Sequence, residues 1–483
     1  MDKIRGCLGF SFSEIETLLL ARLRELLAEG LETMLQRLDD SLFTMRDSER
    51  FKVKKHEERT VETAIGQSVR FRRRQYFDCK KNKYVFLLDE ALSLEPYKQI
   101  SPLLAETLLE MAVNTSAYRK AADSLEAIQG HRVVSHETVR QRVLEAGERL
   151  QDAQDAELAD PCGKGRVPVL FLEVDGLWVH LQQQQRKSTE EKMLTVHEGW
   201  QPRYSEGKSG GYELLEKRQY RSQSGQSEGF WEKASRFVYS HYDIDDDTVV
   251  VINGDRANWI RKGTEYFPKA LYQIDRFHLK RDILRLFRAH SQELSEIMGA
   301  LEDEEDLTGG AFLARLEQGL KKLGGKGRRE CEALLKDLTS MPEATVDYRH
   351  RLAAQGVDTT NMRGLGAAES QADGFADRVK GRGRSWSPTG LSAMMELLCW
   401  WKTDRLHEVT ARLRDWLRSV DEKPDLGSSL ALEAVNDVLA AVAGGTSTLT
   451  ASVPIAGYGK TGSGGMSCLM NRIVGGGLAS VAS

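Results

Sequence analysis

The chain has no apolar run approaching the roughly 20 residues that a membrane-spanning helix requires. Its first thirty residues carry acids inside an amphipathic pattern, unlike a signal peptide. A soluble, cytoplasmic protein with no membrane partner is expected. Paired cysteines are missing too: Cys7, Cys79, Cys162, Cys331, Cys399 and Cys468 stand singly, with no C-x-x-C spacing. That argues against a zinc ribbon and against a disulfide framework. Nor is there an excess of positive charge. The formal balance is -4 with a pI near 6.3, so any nucleic-acid footprint has to be local.

What is present suits a globular chain: 40% hydrophobic and 29% charged residues over 483 positions, enough for about three domains. Residues 12–47 carry leucines at helical spacing (Leu19, Leu20, Leu23, Leu27, Leu31), which predicts a packing or dimerisation helix. Between Ser68 and Leu88 alternating and β-rich stretches flank a basic segment. Residues 70–83 hold seven Lys/Arg (Arg70, Arg72, Arg73, Arg74, Lys80, Lys81, Lys83) against one acid, Asp78, interleaved with Phe71, Tyr76 and Phe77. This reads as a basic β-ribbon able to contact phosphates. Further on, Tyr118 to Ile128, a Gln129-Gly130-His131 turn and a helix from His136 to Glu148, with Ser135 as N-cap, fit a helix-turn-helix whose second helix offers Arg140 and Arg142. An ordinary helical hairpin fits the same pattern equally well.

After Asp160-Pro161-Cys162-Gly163 the character changes. Val167–Val174, Leu177–Leu181, Met193–Val196, Asp246–Ile252 and Ala270–Ile274 read as strands, predicting an α/β sheet with an antiparallel edge. The polar, aromatic stretch between the third and fourth has no assigned role. Helices are expected over Leu279–Leu301, Ala311–Leu323, Arg328–Leu338 and Gly390–Val420, followed by a Gly/Ser-rich tail. Two strands end on acids: Asp175 before Gly176, and Asp255 after Asn253-Gly254. A buried strand that ends on a carboxylate needs a partner or a metal for it, and hard oxygen ligands on separate elements are what a two-metal phosphodiester site requires. Asp275, ending a third strand and followed by His278, competes with Asp255 by position alone.

Four ordered motifs then resemble the ISLre-type insertion-sequence transposases of bacteria, long grouped as an uncharacterised protein family. They are Glu173-Val174-Asp175-Gly176-Leu177-Trp178-Val179, Asn253-Gly254-Asp255-Arg256-Ala257-Asn258-Trp259-Ile260, Ile274-Asp275-Arg276-Phe277-His278, and Ala368-Glu369-Ser370 followed by Asp377-Arg378-Val379-Lys380-Gly381-Arg382 and Ser385-Trp386-Ser387. The resemblance spans roughly residues 60–420 and implies a DDE recombinase: an α/β, ribonuclease-H-like mixed sheet core with an all-helical insertion, preceded by a mainly helical N-terminal region.

By the same resemblance Asp175, Asp255 and Glu369 are the catalytic, metal-ligating acids. Asp275 and His278 are the supporting Asp-x-x-His. From the residues themselves, Arg378, Arg382 and Arg384 in a turn-rich basic segment are expected to clamp the DNA backbone. Two Mg²⁺ ions, with Mn²⁺ tolerated, double-stranded DNA as substrate and target, and a homo-oligomer on DNA are implied as well. The regions become 1–60 (helical), 61–155 (DNA-binding), 160–278 and 361–425 (core), 279–360 (insertion) and 443–483 (tail). One departure is Arg256, where the family usually has glycine. A catalytically silent DNA-binding descendant and a metal-dependent nuclease on the same core are the competing readings.

Overall fold

The computed structural model describes residues 11–406, apart from 93, 160, 183–186, 206–207, 224–226 and 382, and leaves aside the side chains of 204–210, 223–228 and 368–370. The expected tail and Trp416 lie outside these residues. The chain divides into two compact units, and among the described residues it passes between them within the helices Pro102–Asn114 and Tyr118–Gln129 and again after Val133.

The first unit opens with α1 (Phe12–Met45), started by a Ser11/Glu14 capping box. A three-stranded antiparallel sheet follows, β1 (Phe51–Glu62), β2 (Ser68–Asp78) and β3 (Lys83–Val85), then the short α2 (Leu87–Ala91). Leu35 of α1 packs with Val61, Val69, Phe71 and Leu88. β1 corrects the expectation of a wholly helical segment up to residue 60. Its sequence is polar along most of both faces, so it carries little apolar alternation, and its pairing with β2 along its length makes it a strand.

With α3 (Pro102–Asn114) and α4 (Tyr118–Gln129) named in order, the second unit continues with α5 (His136–Ala159). Ser135 caps α5 as expected, its Oγ accepting from Thr138 N at 3.1 Å. The helix runs eleven residues past its expected end at Glu148 because Leu150, Gln154 and Leu158 keep it buried along one face.

Five strands form the central sheet: β4 (Val169–His180), β5 (Ser188–His197), β8 (Arg218–Gln223), β9 (Val249–Gly254) and β10 (Ala270–Ile274). The order is β10-β9-β4-β5-β8. β4, β5 and β8 are antiparallel, and β9 and β10 run parallel to β4. The unassigned aromatic stretch supplies a hairpin of β6 (Gly199–Ser205) and β7 (Lys208–Leu215), then β8, then α6 (Ser227–His241). Alternation along the strands sends Leu170, Leu172 and Val174 to one face, packed with Phe230, Trp231 and Phe237 of α6. Val169 and Phe171 go to the other, against Tyr348 and Leu352.

Beyond β9 come α7 (Asn258–Arg261), then β10, α8 (Arg276–Phe287), α9 (Ser291–Leu301), α10 (Gly310–Leu320) and α11 (Gly325–Thr339), whose apolar faces extend the first core. The single helix expected over 279–301 is thus two, parted at residues 288–290. Finally α12 (Tyr348–Ala353), α13 (Ala367–Val379) and α14 (Pro388–Lys402) follow. Arg221 of β8 joins Glu191 of β5 (3.2 Å) and Glu396 of α14 (2.8 Å) in a buried ionic cluster. No helix among the described residues is long and apolar enough to cross a membrane.

Candidate active site at the carboxyl ends of the central strands

The sheet register brings the predicted acids together. Val174 pairs with Gly254, and Gly254 with Ile274. The next position on each chain is Asp175, Asp255 and Asp275, so three carboxylates share one row across neighbouring parallel strands spaced roughly 4.8 Å apart. Asp175 is not at the end of its strand, as expected. Gly176 stays paired with Lys192, and Leu177 and Val179 remain buried, so Val167–Val174 and Leu177–Leu181 are one strand. It is the β9 ladder that stops, at Gly254, leaving Asp175 at the opening beyond the parallel strands. Gly254 is required there: an added Cβ would lie 2.8 Å from the Val174 carbonyl oxygen.

The three acids have different surroundings. Asp175 is half-buried, and its Oδ1 accepts from the Gly176 amide at 2.7 Å. Asp255 is exposed, its Oδ1 accepting from Ala257 N at 2.9 Å where the chain turns into α7. Asp275 is 2% exposed and acts as N-cap of α8. It accepts from His278 N at 2.9 Å, lies 3.2 Å from His278 Nδ1, and meets Asn253 Nδ2 at 3.5 Å. Burial and capping commit Asp275 to the fold, while Asp255 faces solvent.

One row below lies a buried polar layer. Glu173 meets His197 Nε2 at 3.3 Å, accepts from Asn253 Nδ2 at 3.3 Å, and accepts from the Gly366 amide at 3.0 Å. That last bond ties β4 to the residue just before α13. Gln371 and Phe375 of α13 line a small cavity with Glu173 and Asp175, and Gln371 accepts from Gln219 at 3.0 Å. Glu369 is therefore on a helix laid against β4, in its first turn; its side chain lies outside the described residues.

Sequence reasoning missed Glu190 and Lys192. Burial pushes the Glu190 carboxyl above its ordinary pKa; Lys192 opposes that and the charge of Asp255 adds to it. Lys192 is 4% exposed, with its ammonium 4.6 Å from the Trp259 ring centre, and burial lowers its pKa. An added Cβ on Gly176 would come within 2.5 Å of Glu190 Oε1, so the glycine leaves room for this carboxylate. In the sequence both sit in the charged run Glu190-Glu191-Lys192, which carries no motif. Among the described residues no group of three or more His, Cys, Asp or Glu side chains is arranged to hold a metal ion.

The predicted DNA contacts divide. Arg72, Lys80, Lys81 and Lys83 are exposed. Arg70 pairs with Glu58, Arg73 with Asp89 beneath the Phe86 ring, and Arg74 with Asp39 and Asp40. Arg140 and Arg142 bridge to Glu137 and Glu145 on their own helix. Arg378 is buried, donating to the Ala112 carbonyl at 2.7 Å and lying over Tyr118 and Trp386. Arg384 caps the end of α13 through the carbonyls of Asp377, Arg378 and Lys380. Arg382 lies outside the described residues. Arg256 turns to Asp282 and Asp337, each at 3.1 Å, and so is engaged by α8 and α11.

Comparison with known proteins finds relatives without a described activity. A UPF0236 protein from Streptococcus gallolyticus is 27% identical over 395 residues, 80% of this chain and 82% of that one. Another, from Caldanaerobacter subterraneus subsp. tengcongensis, is 24% identical over 64% of this chain and 61% of its own length, and its name joins eleven loci. Among solved structures, the Drosophila P element transposase strand transfer complex aligns over 70% of this chain and 86% of that one at 10% identity, with a TM-score of 0.23, a likeness too slight to build on. The model of the uncharacterised protein family UPF0236 matches residues 6–411, and the chain belongs to that family.

Proposed function

We propose that the protein is a DDE-class DNA transposase on a ribonuclease-H-like core, which cuts DNA at insertion-sequence ends and joins the released 3′-hydroxyl to target DNA. The observation that carries this reading is the register row, in which Asp175 and Asp255 stand side by side at the opening beyond β4 and β9. A mixed sheet of three antiparallel strands with two parallel additions is compatible with the core that the resemblance to ISLre-type transposases implies. So is Glu369 arriving on a helix after a helical segment. A relative whose name joins eleven loci adds support, since repeated copies are what a mobile element leaves in a genome.

The donor set fits a hard divalent cation. Asp175 on β4 and Asp255 just past the end of β9 are hard oxygen donors in one register row, and the Glu190 carboxyl, raised above its ordinary pKa mainly by burial, also feels the charge of Asp255. Asp175, Asp255 and Glu369 would hold two Mg²⁺ ions, with Mn²⁺ accepted. Such ions activate an attacking oxygen and stabilise the leaving oxygen of a phosphodiester. The chain's own part is positional. The Glu173 layer holds β4, β9 and the start of α13 in register, and Tyr272 donates to the Asp255 carbonyl, fixing the turn after β9. Arg256 pairs with Asp282 and Asp337 while the Asp255 carboxylate is exposed, which supports Asp255 as an accessible ligand. Arg72, Lys80, Lys81 and Lys83 are the proposed duplex-backbone contacts, and synapsis of two ends calls for a homo-oligomer on DNA.

The test is incubation of the purified protein with DNA bearing the inverted repeats that flank its own gene, plus Mg²⁺. Nicks at the repeat termini and joined products are expected, both absent in Asp175→Ala, Asp255→Asn and Glu369→Gln. Binding without metal-dependent cutting would sink the reading; cutting without joined products would leave a nuclease. Loss of cutting in Asp275→Asn but not in Asp255→Asn would transfer the second-ligand role to Asp275.

A further inference from the structure

A cleft of about 890 Å³ opens in the second unit, between the β6–β7 hairpin, the start of α13 and the end of α14. Its lining is rich in cations. Three of them are matched, Arg203 by Glu213 at 3.6 Å, Arg218 by Glu216 at 4.0 Å and Arg405 by Glu157. Lys217, Lys402 and Arg363 have no carboxylate within 4.0 Å among the described residues. Lys402 packs over Gly374, where an added Cβ would collide with its ammonium. Burial lowers the pKa of Lys217, the charges of Lys402 and then Arg203 lower it further, and Glu213 opposes the shift. Like charges held together in a partly desolvated cleft repel one another unless an anion lies between them.

Beside this pair, the Arg363 guanidinium lies 3.6 Å from the ring centre of Tyr212, an exposed aromatic. Cations tracking a backbone, together with flat stacking surfaces, are the means by which proteins bind single-stranded nucleic acid. The volume lies in the range of clefts that take a small ligand or a short segment of one strand. Gln371 lines both this cleft and the small cavity that contains Asp175, so the cleft leads toward the acid row.

We propose that this cleft binds a single-stranded segment of DNA, with Lys217 and Lys402 straddling a backbone phosphate and the Arg363–Tyr212 stack receiving a base. The site deepens the transposase reading by giving the opened strand a place beside the acids, and the test separates the two.

Binding of a fluorescent oligothymidylate to the full-length protein would be measured by anisotropy across a salt series, without divalent metal. For Lys217→Gln/Lys402→Gln we expect at least about tenfold weaker binding at low salt. The slope of log K against log salt should fall by about 0.7, the contribution of the one single-strand phosphate that the two lysines share. Lys217→Arg/Lys402→Arg should bind as the parent does, which distinguishes lost charge from lost folding. Tyr212→Ala should weaken binding without changing the slope. Unchanged binding in the double glutamine variant, or an equal loss for a duplex of the same length, would overturn the inference. A protein that binds the oligonucleotide through these lysines yet never nicks repeat ends refutes the cutting reading alone. One that nicks while the glutamine variant binds normally refutes the cleft alone.

Discussion

Glu190 is a carboxylate whose ionisation the fold opposes, and the direction of its pKa shift fixes the sign of a test. A folded-state pKa raised above the unfolded one costs nothing at low pH, where both states are protonated. The penalty grows as pH rises through the raised value, where the folded protein must carry the charge. Glu190→Gln should therefore raise the Tm at neutral pH and leave it unchanged below about pH 4; a neutral-pH decrease would mean the ionised group is stabilised by contacts beyond Lys192. This residue was not legible in the sequence. Glu190-Glu191-Lys192 looks like a solvated run, and only pairing with β4 places Glu190 and Lys192 beside Gly176 while Glu191 turns the other way to meet Arg221. The strand context of Asp175 and Asp255 was legible, because each acid follows a buried apolar run.

Among the elements, α5 and α14 approach so closely that Gly147 has no room for a side chain: its Cβ would lie 2.5 Å from the Ala393 Cα and closer still to the Ala393 Cβ. Two effects oppose one another in Gly147→Ala. Helix propensity favours alanine by roughly 0.5–1 kcal/mol, whereas overpacking a tight contact costs about 1–3 kcal/mol. The obstructing atoms include backbone, which cannot rotate away, so a net loss is expected, read as a lower urea midpoint at unchanged m-value. A raised midpoint would show that the two helices separate at little cost. Element identity was legible wherever periodicity was strong, as in α1 and β9. It failed at β1, whose residues are mostly polar on both faces, and at Gly176, where a glycine inside a strand looks like a turn.

For the whole molecule, binding to the native acid row alone would shift the folding equilibrium by mass action, about 2.7 kcal/mol at a cation concentration 100 times the Kd. Mg²⁺ or Mn²⁺ should raise the Tm of the parent protein and of Asp275→Asn, and should do so much less in Asp175→Asn or Asp255→Asn. Equal shifts in all four proteins would place cation binding elsewhere. This measurement needs no DNA and no turnover, so it tests the site apart from the reaction. The amino-acid order by itself determined the class of the chain, the existence of most helices and central strands, and the position of Asp175 and Asp255 after apolar runs, because each depends on hydrophobic patterning over a few neighbouring residues. Tertiary structure alone decided that Asp175 and Asp255 share a register row, that Asp275 is buried as a cap, and that Arg256 turns to Asp282 and Asp337. It alone decided, too, that Arg378 serves the core. Those outcomes depend on pairing and burial between residues tens to hundreds of positions apart, which no local pattern encodes.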